Sequence, residues 1–445
     1  MHTQSKFRLL VVRLGAMGDI LHALPAVTAL RQAHPGWVID WVVEPRWRAL
    51  LAAEPAGERH VAFHLSDKGP SLGTPVFHPS DKGPSLGTPV LKGQGFSRAV
   101  SASGSKPALA AEGMRVAENT IPQGLKPRLP FFPSDGVAKA APFQSDRNPA
   151  QPLIDHLHLA ATKQWRKVPF SRQTLHEIKT LRTALRSGEY DAVLDLQGAI
   201  RSAVVARLAG CRRLIGEAEP RERAARWLFT ERVAITGTHV IEQDVELASA
   251  IAGDELTPVQ PWLPVDPAAE AWADALLGSE SQPAVLINPG AGWGAKRWPV
   301  ERYAAVARGL AERGFRVLVN AGPGEEPLAE VIAQGTGGAA TPLTCSLGQL
   351  IALTRRLVLA VAGDTGPLHL ACALGRPVVG IYGPTDPSRN GPFGTEFKML
   401  RSPQSRRDHT RHEAPEAGLL TIQPEDVLRA ADALLYPETT PVDPA

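Results

Sequence analysis

Three short runs in this 445-residue chain set charged or imidazole side chains beside glycines where a strand hands over to a helix. The first is Gly15-Ala16-Met17-Gly18-Asp19. Its glycines let the main chain come close to a bound group, and the helix start presents free N–H groups. Asp19 there serves either as a capping or first-turn carboxylate of the helix, or as a general base for an acceptor hydroxyl. The second run is Asn288-Pro289-Gly290-Ala291-Gly292-Trp293-Gly294-Ala295-Lys296-Arg297-Trp298. Lys296 and Arg297 suit a diphosphate as point charge and planar fork, with a solvated basic pair as the plain alternative. The third is Asp364-Thr365-Gly366-Pro367-Leu368-His369, whose amides at Thr365 and Gly366 and nearby imidazole make an anion cradle. Tyr382-Gly383-Pro384-Thr385-Asp386-Pro387 reads equally as a plain turn or a fourth ligand-facing loop.

The elements around these runs alternate. FRLLVVRLG (7–15) is a strand, GDILHALPAVTALRQAHPG has helical periodicity closed by Pro35-Gly36, and WVIDWVVE (37–44) is the next strand. A helix over 173–186, a strand in YDAVLDLQG (190–198) and a helix over 201–208 continue the series. Four prolines between Pro258 and Pro267 mark a linker. Beyond it come AVLINPGAG, a helix over 300–313, FRVLVNAGPG, a helix over 326–334, LVLAVAGDTG and PVVGIYGPTDP. Each strand of this second series ends in a glycine turn, which is where open α/β sheets bind ligands.

The second run also contains G-x-G-x-x-A, but a nicotinamide dinucleotide site needs an acid at the end of the following strand, and that strand ends at Asn320. An oxidoreductase is disfavoured on that ground. The three cysteines, Cys211, Cys345 and Cys372, are far apart and form no C-x-x-C, which argues against a zinc site or a disulfide framework. No metal site is expected. The start of the chain offers neither a secretory apolar stretch nor a spanning helix, so a cytoplasmic location is expected.

Residues 64–150 hold 12 prolines and 10 glycines, and HLSDKGPSLGTPV (64–76) returns as HPSDKGPSLGTPV (78–90). Two copies are too few for a solenoid, so this is expected to be a disordered insertion whose deletion spares folding and turnover. Charge is uneven as well: 163–232 carries 15 Lys/Arg against 8 Asp/Glu in a chain of net +3. That stretch reads as a solvated basic face or as a surface for an anionic partner.

Taken together and in order, RLGAMGDILHALPAVTALR, WVVE, YDAVLDLQGAIRSA, NPGAGWGAKRWPVERY and AGDTGPLHLACALGRPVVGIYGPTDP resemble the ADP-heptose:lipopolysaccharide heptosyltransferases of glycosyltransferase family 9. The resemblance spans roughly 7–62 and 153–435, and WRKVPFS (165–171) makes it most similar to heptosyltransferase I. It implies a GT-B fold, two Rossmann-like α/β domains facing a central cleft: an acceptor-binding domain over 1–262, a nucleotide-sugar domain over 263–436 and a disordered tail over 437–445. It implies inverting transfer of L-glycero-D-manno-heptose from ADP-heptose to the Kdo of Kdo-lipid A. Alternatives are a family 9 enzyme with another donor or acceptor, heptosyltransferase II-like, and a non-catalytic sugar-nucleotide-binding protein.

By the same resemblance Asp19 is the catalytic base and Lys296 neutralises the departing diphosphate. Thr365, Gly366 and His369 contact phosphate, Asp364 lies beside the heptose, and Glu325 or Glu326 binds the ribose. The acceptor would be met by Gly18, Lys163, Arg166, Lys167, Arg201 and Arg221. No cofactor is required, Mg2+ being possible without being indicated. No nucleic-acid partner is expected, and contact with the anionic inner face of the inner membrane is.

Overall fold

The computed structural model describes residues 6–53, 152–278, 282–408, 410 and 412–437. The insertion expected over 64–150 and the tail after 437 lie outside them.

The first half runs β1 (Arg8–Val12), α1 (Met17–Ala33), β2 (Val38–Val43), β3 (His156–Leu159), α2 (Thr162–Lys167), α3 (Arg172–Ser187), β4 (Ala192–Asp195), α4 (Ile200–Leu208), β5 (Leu214–Glu217), β6 (Glu231–Val233) and α5 (Val240–Ala252). The second runs α6 (Pro267–Leu277), β7 (Ala284–Asn288), α7 (Val300–Glu312), β8 (Arg316–Asn320), α8 (Glu326–Gly335), β9 (Ala340–Leu343), α9 (Leu347–Thr354), β10 (Leu359–Gly363), α10 (Gly366–Ala373), β11 (Val378–Tyr382), α11 (Pro387–Asn390), β12 (Phe397–Arg401) and α12 (Pro424–Leu435). Among the described residues each half holds one six-stranded sheet, ordered β3-β2-β1-β4-β5-β6 and β12-β11-β10-β7-β8-β9. All the pairings are parallel. Both follow the doubly wound Rossmann order, the expected fold class.

Local chemistry explains the boundaries. Leu9–Val12 and Val285–Ile287 are buried on both faces, so these central strands are continuous apolar runs without alternation. Ser171 caps α3 through the Thr174 N–H at 3.0 Å, and Asp266 caps α6 with Pro267 at its first position. The proline-marked linker therefore runs straight into a helix. Several elements escaped the sequence reading, among them β3, α2, β5, β6, α5, β9, α9, β12 and α12: β3 is four residues, two of them His, and takes its place only by pairing with β2, Asp40 opposite His156.

In a doubly wound sheet the ligand crevice opens at the carboxyl ends of the strands where the order reverses. Those points lie between β1 and β4 in the first sheet and between β7 and β10 in the second. The turns after β1, β7 and β10 are the three chemistry-bearing runs of the sequence. One continuous buried cluster, including Leu24, Leu247, Trp262, Leu350 and Leu370, joins α1 and α5 to α9 and α10 and so ties the two halves together.

Candidate active site

Asp19 is the third residue of α1. Its Oδ2 accepts the Ala16 N–H at 3.0 Å, so it does reach back over the helix start as a capping carboxylate. Its Oδ1 has a different setting, 3.8 Å from the Arg13 guanidinium, and the side chain is 34% exposed. One oxygen holds the helix end and the other remains available to a proton.

The opposing turns supply cations and amides. Lys296 Nζ pairs with Asp364 Oδ2 and stands 4.2 Å from the centre of the Trp293 ring. Asp364 Oδ1 accepts from His369 Nε2 at 3.2 Å. Burial alone would push the Asp364 carboxyl up, but the His369 hydrogen bond and the Lys296 charge hold it well below the usual carboxylate range. Thr365 is the N-cap of α10 and Gly366 its first residue, so this helix start is open to an anion beside Lys296 and His369.

The two switch points touch. A methyl group built on Gly18 would lie 2.9 Å from His369 Cδ2, and one on Gly366 would lie 2.6 Å from Met17 Sδ. His22 Nε2, one turn along α1, lies 3.1 Å from His369 Nδ1. Since His369 Nε2 donates to a carboxylate, its Nδ1 accepts from His22 when the ring is neutral. Burial pushes the His22 imidazole well below its ordinary range. His239 stands edge-on to His22, ring centres 5.8 Å apart, and takes the Ile241 N–H on Nδ1 while Nε2 donates to the Gly391 carbonyl. A cavity of about 260 Å³ opens beside this junction, lined by His22, His369, Gln260 and Phe393.

Of the two glutamates, Glu325 faces the turn after β7. A methyl on Gly290 would collide with its carboxylate, whose ionised form the Gly322 and Ala291 amides and the Arg297 charge favour. Burial nevertheless pushes its carboxyl up. Glu326 begins α8.

The basic residues gather at the carboxyl ends of the first sheet. Lys163 opens α2 with its N–H on Glu44 Oε1 at 3.2 Å. Burial, with repulsion from Arg46, Arg201 and Arg166 outweighing the attraction of Glu44, pushes its ammonium down. Arg201 lies in the first turn of α4, and the main chain at Arg221 packs against Gly198. Lys167 ends α2, exposed beside Val168 and Phe170. Among the described residues, no set of three His, Cys, Asp or Glu side chains is placed to hold a metal ion. No described helix is long and apolar enough to cross a membrane.

The sequence reading passed over Arg13, His22, Arg46, Trp293, Asp195 and Asp244. The first five lie in or next to the quoted motifs, so proximity is a usable signal. Asp244 carries none, since a lone acid in the amphipathic helix 240–252 reads as solvent-facing, yet it is 1% exposed.

The profile described as "Glycosyltransferase family 9 (heptosyltransferase)" matches residues 178–419. The chain belongs to glycosyltransferase family 9. It is thus a glycosyltransferase of the lipopolysaccharide heptosyltransferase group. Its relatives in this family include Lipopolysaccharide heptosyltransferase 1 of Escherichia coli, 26% identical over 401 residues that cover 89% of this chain and 94% of the relative. Lipooligosaccharide heptosyltransferase 2 of Haemophilus influenzae is 30% identical over 200 residues, 41% of this chain and 57% of the relative. Among solved structures, the family 9 fold matches E. coli heptosyltransferase WaaC with ADP at a TM-score of 0.63 and 23% identity, over 96% of this chain and 100% of that one.

Proposed function

We propose that this family 9 enzyme moves L-glycero-D-manno-heptose from ADP-heptose to the Kdo of Kdo-lipid A, with inversion. One juxtaposition supports the reading most. The turn bearing Asp19 abuts the helix start bearing Thr365, Gly366 and His369, with Lys296 alongside. A base and an anion cradle meet at two sheet switch points.

In the reaction Asp19 Oδ1 takes the proton of the acceptor hydroxyl while its oxygen attacks the anomeric carbon from the side opposite the diphosphate. The bond to the diphosphate breaks and its electron pair leaves with ADP. Lys296, the amides at the start of α10 and His369 face the charge that develops there, so they stabilise the transition state more than the ground state. Lys296 exchanges its bond to Asp364 for the diphosphate, leaving Asp364 beside the sugar. Glu325, rather than Glu326, meets the ribose. The countercharge comes from Lys296 and the amides, so the scheme calls for no cofactor, Mg2+ included.

Lys163, Arg166, Lys167, Arg201 and Arg221, joined by Arg46, would receive the Kdo carboxylate and the lipid phosphates, with Gly18 leaving room at the base. Phe170, just after α2, is 88% exposed, and Trp227, 69% exposed, stacks with Arg226 and Arg232 before β6. That combination suits peripheral contact with an anionic membrane face on the cytoplasmic side. The test is ADP release from ADP-heptose with Kdo-lipid A, comparing the intact chain with Asp19→Ala. Acceptor-dependent release that collapses in the variant is expected. Equal release from both would overturn the role of Asp19, and none from either would overturn the donor and acceptor.

A further inference from the structure

Behind Asp19 lies a charge cluster that the scheme above leaves unused. Arg13 follows β1 and is buried; its Nε donates to the Asp19 carbonyl at 3.1 Å. Its Nη2 lies 3.8 Å from Asp19 Oδ1 and its Nη1 3.8 Å from Asp244 Oδ1. Trp41 Nε1 donates to the Arg13 carbonyl at 3.1 Å, fixing the main chain from which the guanidinium projects. Asp244, on α5, is 1% exposed, and neither of its oxygens has a hydrogen-bond partner. Asp195, at the end of β4, is wholly buried; its Oδ1 accepts the Gln197 and Gly198 amides and the Ser202 hydroxyl, and its Oδ2 has no partner. Glu217, at the end of β5, adds a fourth acid facing Arg13, with Arg389 opposite it.

An interior carboxylate without hydrogen bonds lowers stability, and an apolar side chain would pack α5 against α1 better. Stability therefore does not account for Asp244. Its geometry relates it to one group, the guanidinium that also faces Asp19.

Given Asp19 as the base proposed above, we infer that Arg13 and Asp244 are its positioning residues, dividing one guanidinium between an interior acid and the acid at the crevice. Arg13 holds the main chain of Asp19 through Nε and biases its free oxygen through Nη2. Asp244 sets how much of that positive charge Asp19 receives. When Asp244 carries a proton, the guanidinium acts fully on Asp19 and holds its carboxylate toward Nη2. When Asp244 is ionised the guanidinium is shared between the two acids, and Asp19 is held less tightly. Four acids around one deeply placed guanidinium cannot all be ionised at little cost, so a proton resides within the cluster. Burial pushes Asp244 up to about 7 and Asp195 up to about 6, Arg13 opposing both, so the change of state falls near neutrality.

The experiment is the pH profile of kcat/KM for Kdo-lipid A in the intact chain and in Asp244→Asn, Asp244→Leu, Arg13→Gln and Asp19→Ala, with ADP affinity measured by calorimetry. Asp244→Asn is expected to move the acid limb down by about one pH unit and to lower the plateau several-fold, about threefold to tenfold, because the guanidinium is no longer divided between the two acids. ADP affinity should stay constant. Arg13→Gln should move the same limb upward, and Asp244→Leu should reproduce the asparagine result should that variant fold poorly. An inactive Asp19→Ala beside unmoved limbs in both Asp244 variants would overturn the clamp while leaving the base in place. An active Asp19→Ala would remove the base itself and the clamp with it. A loss confined to ADP affinity would also overturn the clamp, assigning Asp244 to the fold alone.

Discussion

His22 Nε2 lies 3.1 Å from His369 Nδ1, a side-chain hydrogen bond that joins α1 of the first half to α10 of the second. Burial pushes the His22 imidazole well below its ordinary value, while in the unfolded chain it titrates near 6.5. Below about 6.5 the unfolded state therefore binds more protons, and stability falls as the pH falls. Chemical denaturation between pH 7.5 and 5.5 should show a loss in the intact chain that is reduced in His22→Asn. Parallel curves would mean that other groups set the acid response.

Gly18→Ala tests the contact from the other side. Alanine favours helix by about 1 kcal/mol over glycine, so propensity alone would stabilise α1. The added methyl would stand 2.9 Å from His369 Cδ2, closer than carbons approach. Either the imidazole or the start of α1 must shift, and both belong to the site. Turnover should fall by about tenfold or more while the melting temperature moves by only a few degrees. Unchanged turnover would show that the junction tolerates the displacement.

Asp364 accepts from His369 and pairs with Lys296, which together outweigh its burial and hold its carboxyl depressed. A depressed acid stabilises the fold above its unfolded value of about 4 and loses that contribution as the pH drops through the folded value. Asp364→Asn should therefore be destabilising at pH 7, by about 3 kcal/mol because Lys296 is left with little compensation. The gap to the intact chain should narrow below pH 4. Urea unfolding at pH 7 and pH 3.5 measures both, and a gap independent of pH would count against the ion pair.

The legible part of this protein is the part that repeats a local rule. Strand, glycine turn and helix start each leave a mark in sequence, so Asp19, Lys296 and the Asp364–His369 turn are legible there. Residues that depend on distant partners left no mark. His158 meets Tyr190 at 3.0 Å across 32 positions, and Arg31 reaches the Leu153 carbonyl across 122, both set by parallel strand order. Asp244 went unseen for the same reason, since its burial follows from α5 packing on α1. Hydrophobic spacing cannot reveal a polar residue turned inward.

The choice between Glu325 and Glu326 is of that kind, because adjacent residues at a helix start differ only in direction. Glu325 turns back over the crevice: its carboxylate fills the space beside Gly290 and lies against Gly322. It therefore sits between the turns after β7 and β8, at the ends of strands adjacent in the sheet. A ribose held there would place its diphosphate toward Lys296 and the start of α10. Glu325→Gln keeps the shape and one acceptor but removes the charge that strengthens bonds to sugar hydroxyls, a difference of about 1.5 kcal/mol, or roughly tenfold in affinity. Calorimetry with ADP should show that weakening for Glu325→Gln and a much smaller one for Glu326→Gln. The reverse order would move the ribose contact to Glu326 and turn the first residue of α8, in place of the turn before it, toward the nucleotide.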